Sequence, residues 1–411
     1  MTDVQFDPSE KRKAIVLLAV AEVLALSLWF SASAVVPSLK AEGTVSDAQA
    51  ALFTSAVSIG FVFGTLISAI LTLPDRVPPA KLFSIAALVA AVANGSILLV
   101  DPASLSVVAL RFVTGICMAG IYPVGMKMAS SWARREGKGD TGFLVGLLVG
   151  ALTLGSALPH LFNAAGGVDW HFTIAVSSLS AVVAAVLIRF ARTGPGMAPA
   201  APFDPTEILE GWRNKPLRLA NLGYFGHMWE LYAMWGWIGF YLTRSFTASG
   251  LETPVFWAGV VTFFVIAAGA VGSIAGGLFA DRMGRTTLTI GAMAISGSCA
   301  AGVGFVFGDA PGLMVGLCLI WGITVVADSA QFSSCVIELA DKRYVGTMLT
   351  VQTCVGFSLT LLTIQMLPWI AQHIGWQWAM APLALGPALG VVAMARLRAD
   401  PASRKLAGGN R

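Results

Sequence analysis

Apolar runs of about 18 residues or more recur along the whole chain, and each is long enough to cross the roughly 30 Å hydrocarbon core of a bilayer. Of the 411 residues, 56% are hydrophobic and only 12% are charged, whereas a soluble domain carries about 25% charged residues. The chain therefore has too little polar surface to cover a soluble fold. These features predict an all-α membrane protein with many transmembrane helices.

Dividing the apolar runs at their breakers predicts twelve transmembrane helices. They are 14–36, 46–73, 79–99, 103–132, 140–163, 170–192, 216–243, 253–280, 286–307, 311–339, 344–372 and 375–397. The longest connection, 193–215, is rich in Pro and Ala and then charged. We expect it to be a cytoplasmic linker between an N-terminal half, 1–192, and a C-terminal half, 216–411.

The basic residues indicate how the helices are oriented, because Lys and Arg favour the cytoplasmic side of a membrane. If both termini are cytoplasmic, most of the 26 Lys and Arg residues fall on that side. Only Lys40 and Arg244 fall on the other side, and Arg111 and Lys127 lie within helices. The distribution predicts a multi-pass protein of the plasma membrane (the inner membrane of a Gram-negative bacterium). It also explains the net charge of +4 without a nucleic-acid partner.

The two halves resemble each other weakly. Asp75-Arg76 follows the second predicted helix and Asp281-Arg282 follows the eighth, while Gly142 and Gly346 open the fifth and the eleventh. The two separations along the chain are nearly equal. This spacing is typical of a duplicated six-helix unit.

The loop after the eighth helix carries the clearest family resemblance. Its sequence, GLFADRMGR, is similar to the G-x-x-x-D-R-x-G-R loop of the major facilitator superfamily, and RFVTG in the fourth helix resembles that family's R-x-x-x-G element. The resemblance implies two pseudo-symmetric six-helix halves that rock about a central cavity. It also implies a conformational latch formed by Gly277, Asp281, Arg282 and Arg285, with Asp75 and Arg76 as first-half counterparts. The first-half copy departs from the pattern, since prolines stand where Gly and Arg are expected.

Glycines recur through the fifth predicted helix at Gly142, Gly146, Gly150 and Gly155, followed by Pro159. This series resembles the glycine- and proline-bearing stripe of drug/proton antiporters, although their adjacent Gly-Pro is absent. Alternatively, the glycines simply form a face for close helix packing.

Ionisable side chains deep inside the predicted helices are restricted to four of them. The first, fourth, seventh and tenth helices hold Glu22, Arg111, Lys127, His227, Glu230 and Asp328. The family resemblance places these same four helices around the central cavity. Because a charge at membrane depth is costly, each group is expected to face water, a partner or a substrate.

Helical periodicity groups these residues with aromatic side chains. We therefore expect substrate binding by Arg111, Tyr122, Lys127, Trp29, Trp237 and Trp321, and proton coupling by Glu22, His227, Glu230 and Asp328.

Several of these residues also have a purely structural interpretation. Glu22 either carries a proton or only pairs with Arg111, and His227 is either a proton carrier or a hydrogen-bonded packing residue. Lys127 either reaches the cavity or extends towards the cytoplasm. Tryptophans also anchor helices at membrane interfaces. Glu338, near the end of the tenth helix, is expected to pair with the basic residues of the loop that follows.

The sequence contains no phosphate-binding G-x-x-x-x-G-K-[ST] string and no metal-ligand spacing of His and Cys. We therefore expect no cofactor, no metal site and no enzymatic activity. The preferred prediction is a monomeric secondary transporter in which protons drive symport of a small anion held by Arg111 and Lys127. The alternative is proton antiport of hydrophobic or cationic compounds against an aromatic lining. A membrane-embedded enzyme or a sensor is the remaining class.

Overall fold

The computed structural model describes residues 8–133, 141–167, 169–197 and 203–411. These residues form helices and connections with no strand, and eleven of the helices are long and apolar enough to cross a membrane. The chain is therefore an all-α, multi-pass membrane protein. In chain order these helices are α1 Pro8–Ala41, α2 Asp47–Ile70, α3 Pro79–Leu99, α4 Leu105–Ser130, α5 Gly142–Ala165, α6 Trp170–Phe190, α8 Pro254–Met283, α9 Arg285–Val306, α10 Pro311–Leu339, α11 Val345–Ile374 and α12 Trp376–Ala399.

The remaining long helix, α7, runs from Lys215 to Ala248 and has 34 residues. Its length matches that of its neighbours, but it contains His227 and Glu230 among many polar aromatic residues. It is therefore less apolar than the eleven helices above. Each of the twelve predicted segments coincides with one of these long helices to within a few residues at most ends. Residues 198–202 of the predicted linker lie outside the described residues.

Two helices are interrupted near the middle, at equivalent places in the two halves. α4 is broken between Met118 and Tyr122, where Pro123 lacks the N–H that a continuous helix would need. α10 is broken at Asp328. The break in α4 is spanned by tighter hydrogen bonds to residues three positions earlier, and the break in α10 places Asp328 between two helical segments.

Contacts between helix ends show which ends share a face of the molecule. The Nη1 atom of Arg192, just beyond the end of α6, lies 2.9 Å from Oε1 of Glu10 in the first turns of α1. At the other face, the N–H of Gly308 after α9 donates to Oγ of Ser245 near the end of α7, at 3.0 Å. We call the face at which α1 begins the N-terminal face, and the other the opposite face.

Glycines allow the second and fourth helices of each half to pack closely. A Cβ atom added at Gly115 of α4 would lie 2.2 Å from the carbonyl oxygen of Val57 in α2. In the second half, a Cβ at Gly322 of α10 would lie 1.9 Å from the carbonyl oxygen of Val265 in α8. Any side chain at these positions would force the helices apart. The matching contacts support the internal duplication.

The glycine stripe of α5 packs against α8 of the other half. Ser273 donates a hydrogen bond to the carbonyl oxygen of Gly146 at 2.9 Å. A Cβ at Gly277 would lie 2.5 Å from the carbonyl oxygen of Gly142. Of the two interpretations of this stripe, the contacts favour the close-packing face.

Aromatic side chains join the two halves towards the opposite face. Trp29 of α1 lies with its ring centroid 5.6 Å from both Tyr232 of α7 and Phe357 of α11, and these two rings are 4.8 Å apart. Nearby, Gln365 of α11 donates to Ser55 of α2 at 2.9 Å. These contacts hold the halves together on this side of the molecule.

Large apolar side chains point outward from the helices. Val92, Leu99, Phe264 and Leu389 are each more than half exposed. Such a surface would be unstable in water, and it is the surface that a lipid bilayer requires.

Candidate functional site

The interrupted helix α10 brings Asp328 against His227 of α7. The Nδ1 atom of His227 lies 3.0 Å from Oδ1 of Asp328, and their side chains are only 3% and 1% exposed. The other ring nitrogen, Nε2, lies 3.0 Å from Oγ of Ser329. The two groups are buried in contact, but Oδ1 of Asp328 accepts no hydrogen bond from the described residues, so this is a close approach rather than an aligned hydrogen bond.

Glu230 lies one turn further along α7, and each of its carboxylate oxygens accepts a hydrogen bond. Its Oε2 accepts a hydrogen bond from Ser296 of α9 at 2.8 Å, and its Oε1 accepts one from Nε1 of Trp321 in α10 at 2.7 Å. The predicted faces of α7 and α10 therefore meet. Because Trp321 uses its single donor on Glu230, it offers only its ring to a substrate.

Glu22 of α1 is buried against the backbone of α4. A Cβ at Gly125 would lie 1.8 Å from Oε1 of Glu22, and the phenol of Tyr122 is close enough to interact with the carboxyl group electrostatically. Within the described ranges, neither oxygen of Glu22 has a hydrogen-bond partner. Since an unpaired buried carboxylate costs several kcal/mol, this arrangement suits the neutral acid.

Arg111 is fully buried, and most of its partners are backbone carbonyl oxygens of neighbouring helices. Its Nε donates to the carbonyl oxygen of Phe53. Its Nη1 donates to three acceptors at 2.8–3.1 Å, which are the carbonyl oxygen of Leu28, Oγ of Ser31 and Oδ1 of Asn94. Its Nη2 donates to the carbonyl oxygen of Trp29. The guanidinium thus links α1, α2, α3 and α4. No carboxylate is among these partners in the described part of the chain, so the predicted pairing with Glu22 is wrong.

Lys127 is near the end of α4 at the N-terminal face. Its Nζ donates to Oδ1 of Asp75 and, at 3.2 Å, to the carbonyl oxygen of Pro74. Of the two predicted positions for Lys127, the structure has the one directed towards this face. The lysine and the predicted latch residue Asp75 therefore form one ion pair, and Arg76 follows at the end of a short helix, Leu73–Arg76.

Two further predicted tryptophans lie in aromatic contacts between helices. The Nε1 atom of Trp237 donates to the carbonyl oxygen of Ile364 at 3.0 Å, and its ring lies 5.3 Å from that of Trp376. Trp29 is 1% exposed, and its Nε1 has no hydrogen-bond partner among the described residues. Trp29 therefore keeps an unused donor next to the contact between the halves.

Arg285 lies at the centre of the predicted second-half latch. Its Nη2 lies 2.6 Å from Oε1 of Glu338 and 3.3 Å from Oδ1 of Asp281, and Nη1 donates to Gln331 at 2.8 Å. The expected pairing of Glu338 with the following loop is therefore wrong, because Arg285 at the start of α9 lies closer. Arg282 is exposed on the same face.

In the loop after α10, Arg343 pairs with Asp341 rather than with Glu338. Arg343 donates to Asp341 at 2.8 Å. This hydrogen bond lowers the pKa of Asp341 to about 2, so the carboxylate remains charged at physiological pH.

Sequence reasoning missed the polar residues that complete these sites. Ser31 and Asn94 contact Arg111, and Ser296 contacts Glu230. Of these residues, only Asn94 could have been recognised from the sequence. A carboxamide in an otherwise apolar helix is costly unless it has hydrogen-bond partners.

Among the described residues, the long helices, the apolar exterior and the ionisable groups buried between helices are those of a polytopic membrane protein. The family model of the Major Facilitator Superfamily matches residues 18–364. The chain belongs to the major facilitator superfamily, and it is a transporter of small molecules rather than an enzyme.

A solved structure supports the same fold. A crystal structure of a mutant of the nucleoside transporter NupG is similar to this chain with a TM-score of 0.72, over 93% of this chain and 99% of that one. The sequence identity is 14%, so this similarity concerns the fold alone. A search of curated proteins finds no match.

Proposed function

We propose that this transporter exchanges protons for a cationic small molecule and that Glu22 is the group for which the two compete. The observation that carries the proposal is the burial of Glu22, with both oxygens lacking a hydrogen-bond partner within the described residues. A neutral acid is stable in this position, while a charged one needs a cation beside it. A proton and a cationic substrate therefore cannot occupy Glu22 at the same time. Binding of one releases the other, and this competition is the basis of antiport.

Aromatic residues from both halves supply a suitable lining near Glu22. Tyr122 of α4 lies near Glu22, and Tyr224 and Tyr232 of α7 lie near Tyr122. The ring faces of such residues attract organic cations, which adds to the carboxylate. Because α4 and α7 belong to different halves, a ligand held here would be released when the halves move relative to each other.

The contacts of the basic residues do not favour the anion expected from the sequence. Arg111 donates to acceptors of α1, α2 and α3, and Lys127 pairs with Asp75. An anion would have to displace these partners before it could bind. Proton symport of an anion is therefore the less favoured alternative.

His227 and Asp328 form a second candidate proton site, in the other half of the chain. Their separation of 3.0 Å and their burial suit a group that takes up or releases a proton during the cycle. Glu230 already accepts two hydrogen bonds, so we assign it a weaker role in coupling.

The orientation of the helices in the membrane is a separate part of the proposal. We propose that α7 crosses the membrane as the seventh of twelve transmembrane helices, joining halves 1–192 and 216–411. The excess of basic residues then places the N-terminal face, both termini and the linker 193–215 in the cytoplasm. The protein acts as a monomer in the plasma membrane, or the inner membrane of a Gram-negative cell.

The test is transport by purified protein in liposomes with an imposed pH gradient. Ethidium is the organic cation probe, and benzoate is the anion probe. We expect ethidium to move against the proton gradient, and Glu22→Gln to lose at least tenfold of this driven transport because its amide cannot exchange protons. Glu252→Gln, in the exposed loop before α8, is the matched control and should transport normally. Proton-driven benzoate transport that survives Glu22→Gln would refute the proposal.

A further inference from the structure

An apolar groove of about 400 Å³ runs along the membrane-facing side of α7, α11 and α12. Its walls include Leu222, Phe225, Trp229, Leu359 and Leu389, and Arg396 lies at one end. Leu389 is 69% exposed, so the groove opens to the surroundings of the helices. This groove lies apart from Glu22 and from the His227–Asp328 pair.

The groove has the depth of one leaflet of a bilayer. Its α12 wall extends from Leu385 to Arg396, which is about 16 Å at the helical rise of 1.5 Å per residue. Half of the roughly 30 Å hydrocarbon core is about 15 Å. Because α12 ends at Ala399, the arginine lies at the N-terminal face and the apolar part extends towards the middle of the membrane.

Basic side chains surround the end of the groove that carries Arg396. Nζ of Lys215 at the start of α7 lies 3.0 Å from Oδ2 of Asp400, which brings this end of α7 beside the end of α12. Arg213 and Arg218 are exposed on the same segment. Since Asp400 is paired with Lys215, the remaining arginines give this end a positive potential.

An aromatic residue lies beside the same end. Nη1 of Arg218 donates to the carbonyl oxygen of Trp212 at 3.0 Å, and the ring of Trp212 lies 6.3 Å from that of Phe225 in the groove. Trp212 is 50% exposed. A half-exposed tryptophan beside arginines is typical of the level of lipid headgroups.

We propose that this groove binds one acidic phospholipid, with an acyl chain along α7 and α12 and the phosphate at Arg396. Lipid tails are as apolar as the groove walls, so a tail alone gains little by leaving the bilayer. Selectivity therefore comes from the headgroup and from the basic end of the groove. The proposal requires the membrane placement of the protein and is independent of its substrate.

The test compares phosphatidylglycerol with phosphatidylcholine of the same acyl chains, added to purified full-length protein in detergent. Native mass spectrometry counts the bound lipid, and thermal unfolding measures stabilisation. We expect tighter binding of phosphatidylglycerol. Arg396→Gln should weaken it about fivefold, since one basic residue near a lipid headgroup contributes about 1 kcal/mol. Arg189→Gln, an exposed arginine at the same face, is the matched control.

A second variant tests the groove itself. Leu222→Trp fills the groove and should lower the binding of both lipids, whereas Leu179→Trp, at an exposed position of α6, should not. Equal binding of the two lipids by the unaltered protein, or unchanged binding in Leu222→Trp, would overturn the proposal. So would a dimer mass that Leu222→Trp abolishes, because the groove would then belong to a second copy of the chain.

Discussion

Replacing Arg111 by lysine separates a structural role from substrate binding. Arginine has five N–H donors in a planar fork, whereas lysine has three on one nitrogen. The guanidinium reaches Phe53 in α2, Asn94 in α3, and Leu28 and Trp29 in α1. A single ammonium group cannot reach acceptors on all three helices.

The expected cost follows from the number of lost bonds. Arg111 makes five contacts to three other helices, and lysine would lose at least two of them. A hydrogen bond to a charged group contributes about 1.5–3 kcal/mol, so the variant should lose at least about 3 kcal/mol of unfolding free energy. Transport per folded molecule should change little, because no donor of Arg111 is expected to touch the substrate.

Two measurements on the same preparation distinguish a structural role of Arg111 from substrate binding. Denaturant unfolding in detergent micelles, followed by tryptophan fluorescence, gives the stability, and ethidium flux into liposomes gives transport per folded molecule. Arg189→Lys, at an exposed position, is the matched control and should leave both values unchanged. If Arg111→Lys unfolds at the same denaturant concentration as the unaltered protein but loses substrate affinity, then Arg111 binds substrate and the structural argument is wrong.

Two further variants probe neighbouring contacts. Gly125→Ala should displace the Glu22 carboxyl group and lower proton-driven flux, because the added Cβ would lie 1.8 Å from Oε1. Gly291→Ala, in open space, is the control. Equal flux in the two variants would refute the packing argument. Reversing the pair with Lys127→Asp and Asp75→Lys together should restore most of the stability that either change alone removes, by about 0.5–1 kcal/mol for a partly exposed pair. Additive losses in that double-mutant cycle would show that the two residues do not interact.

Helix positions could be predicted from the sequence because each depends on local information. Apolar runs and their breakers determine where a helix begins and ends, and this holds even for α7, whose Glu230 and aromatic residues reduce its hydropathy. The restriction of ionisable residues to α1, α4, α7 and α10 also indicated which helices carry buried polar groups. In the structure His227 of α7 lies against Asp328 of α10, and Glu230 against Trp321.

The partners of individual charges could not be predicted, because they depend on how the helices pack in three dimensions. Arg111 binds backbone carbonyl groups, which every residue has, so no sequence pattern marks them. The direction of Lys127 depends on the interruption of α4 before Tyr122. Whether proline redirects the helix could not be settled from periodicity.

The two predicted latches differ in which element carries the acid and which carries the base. In the first half the base is Lys127 on α4 and the acid is Asp75 in the loop. In the second half the acid is Glu338 on α10 and the base is Arg285 at the start of α9, with a second acid at Asp281.

The chain after α12 adds contacts to Glu338 and Asp281 of the predicted second-half latch. The N–H of Ala407 donates to Glu338 at 3.0 Å, and Asn410 donates to the carbonyl oxygen of Asp281 at 2.7 Å. Leu406 between them is fully buried. Separating Arg285 from Glu338 at the N-terminal face would therefore also displace this buried segment after α12.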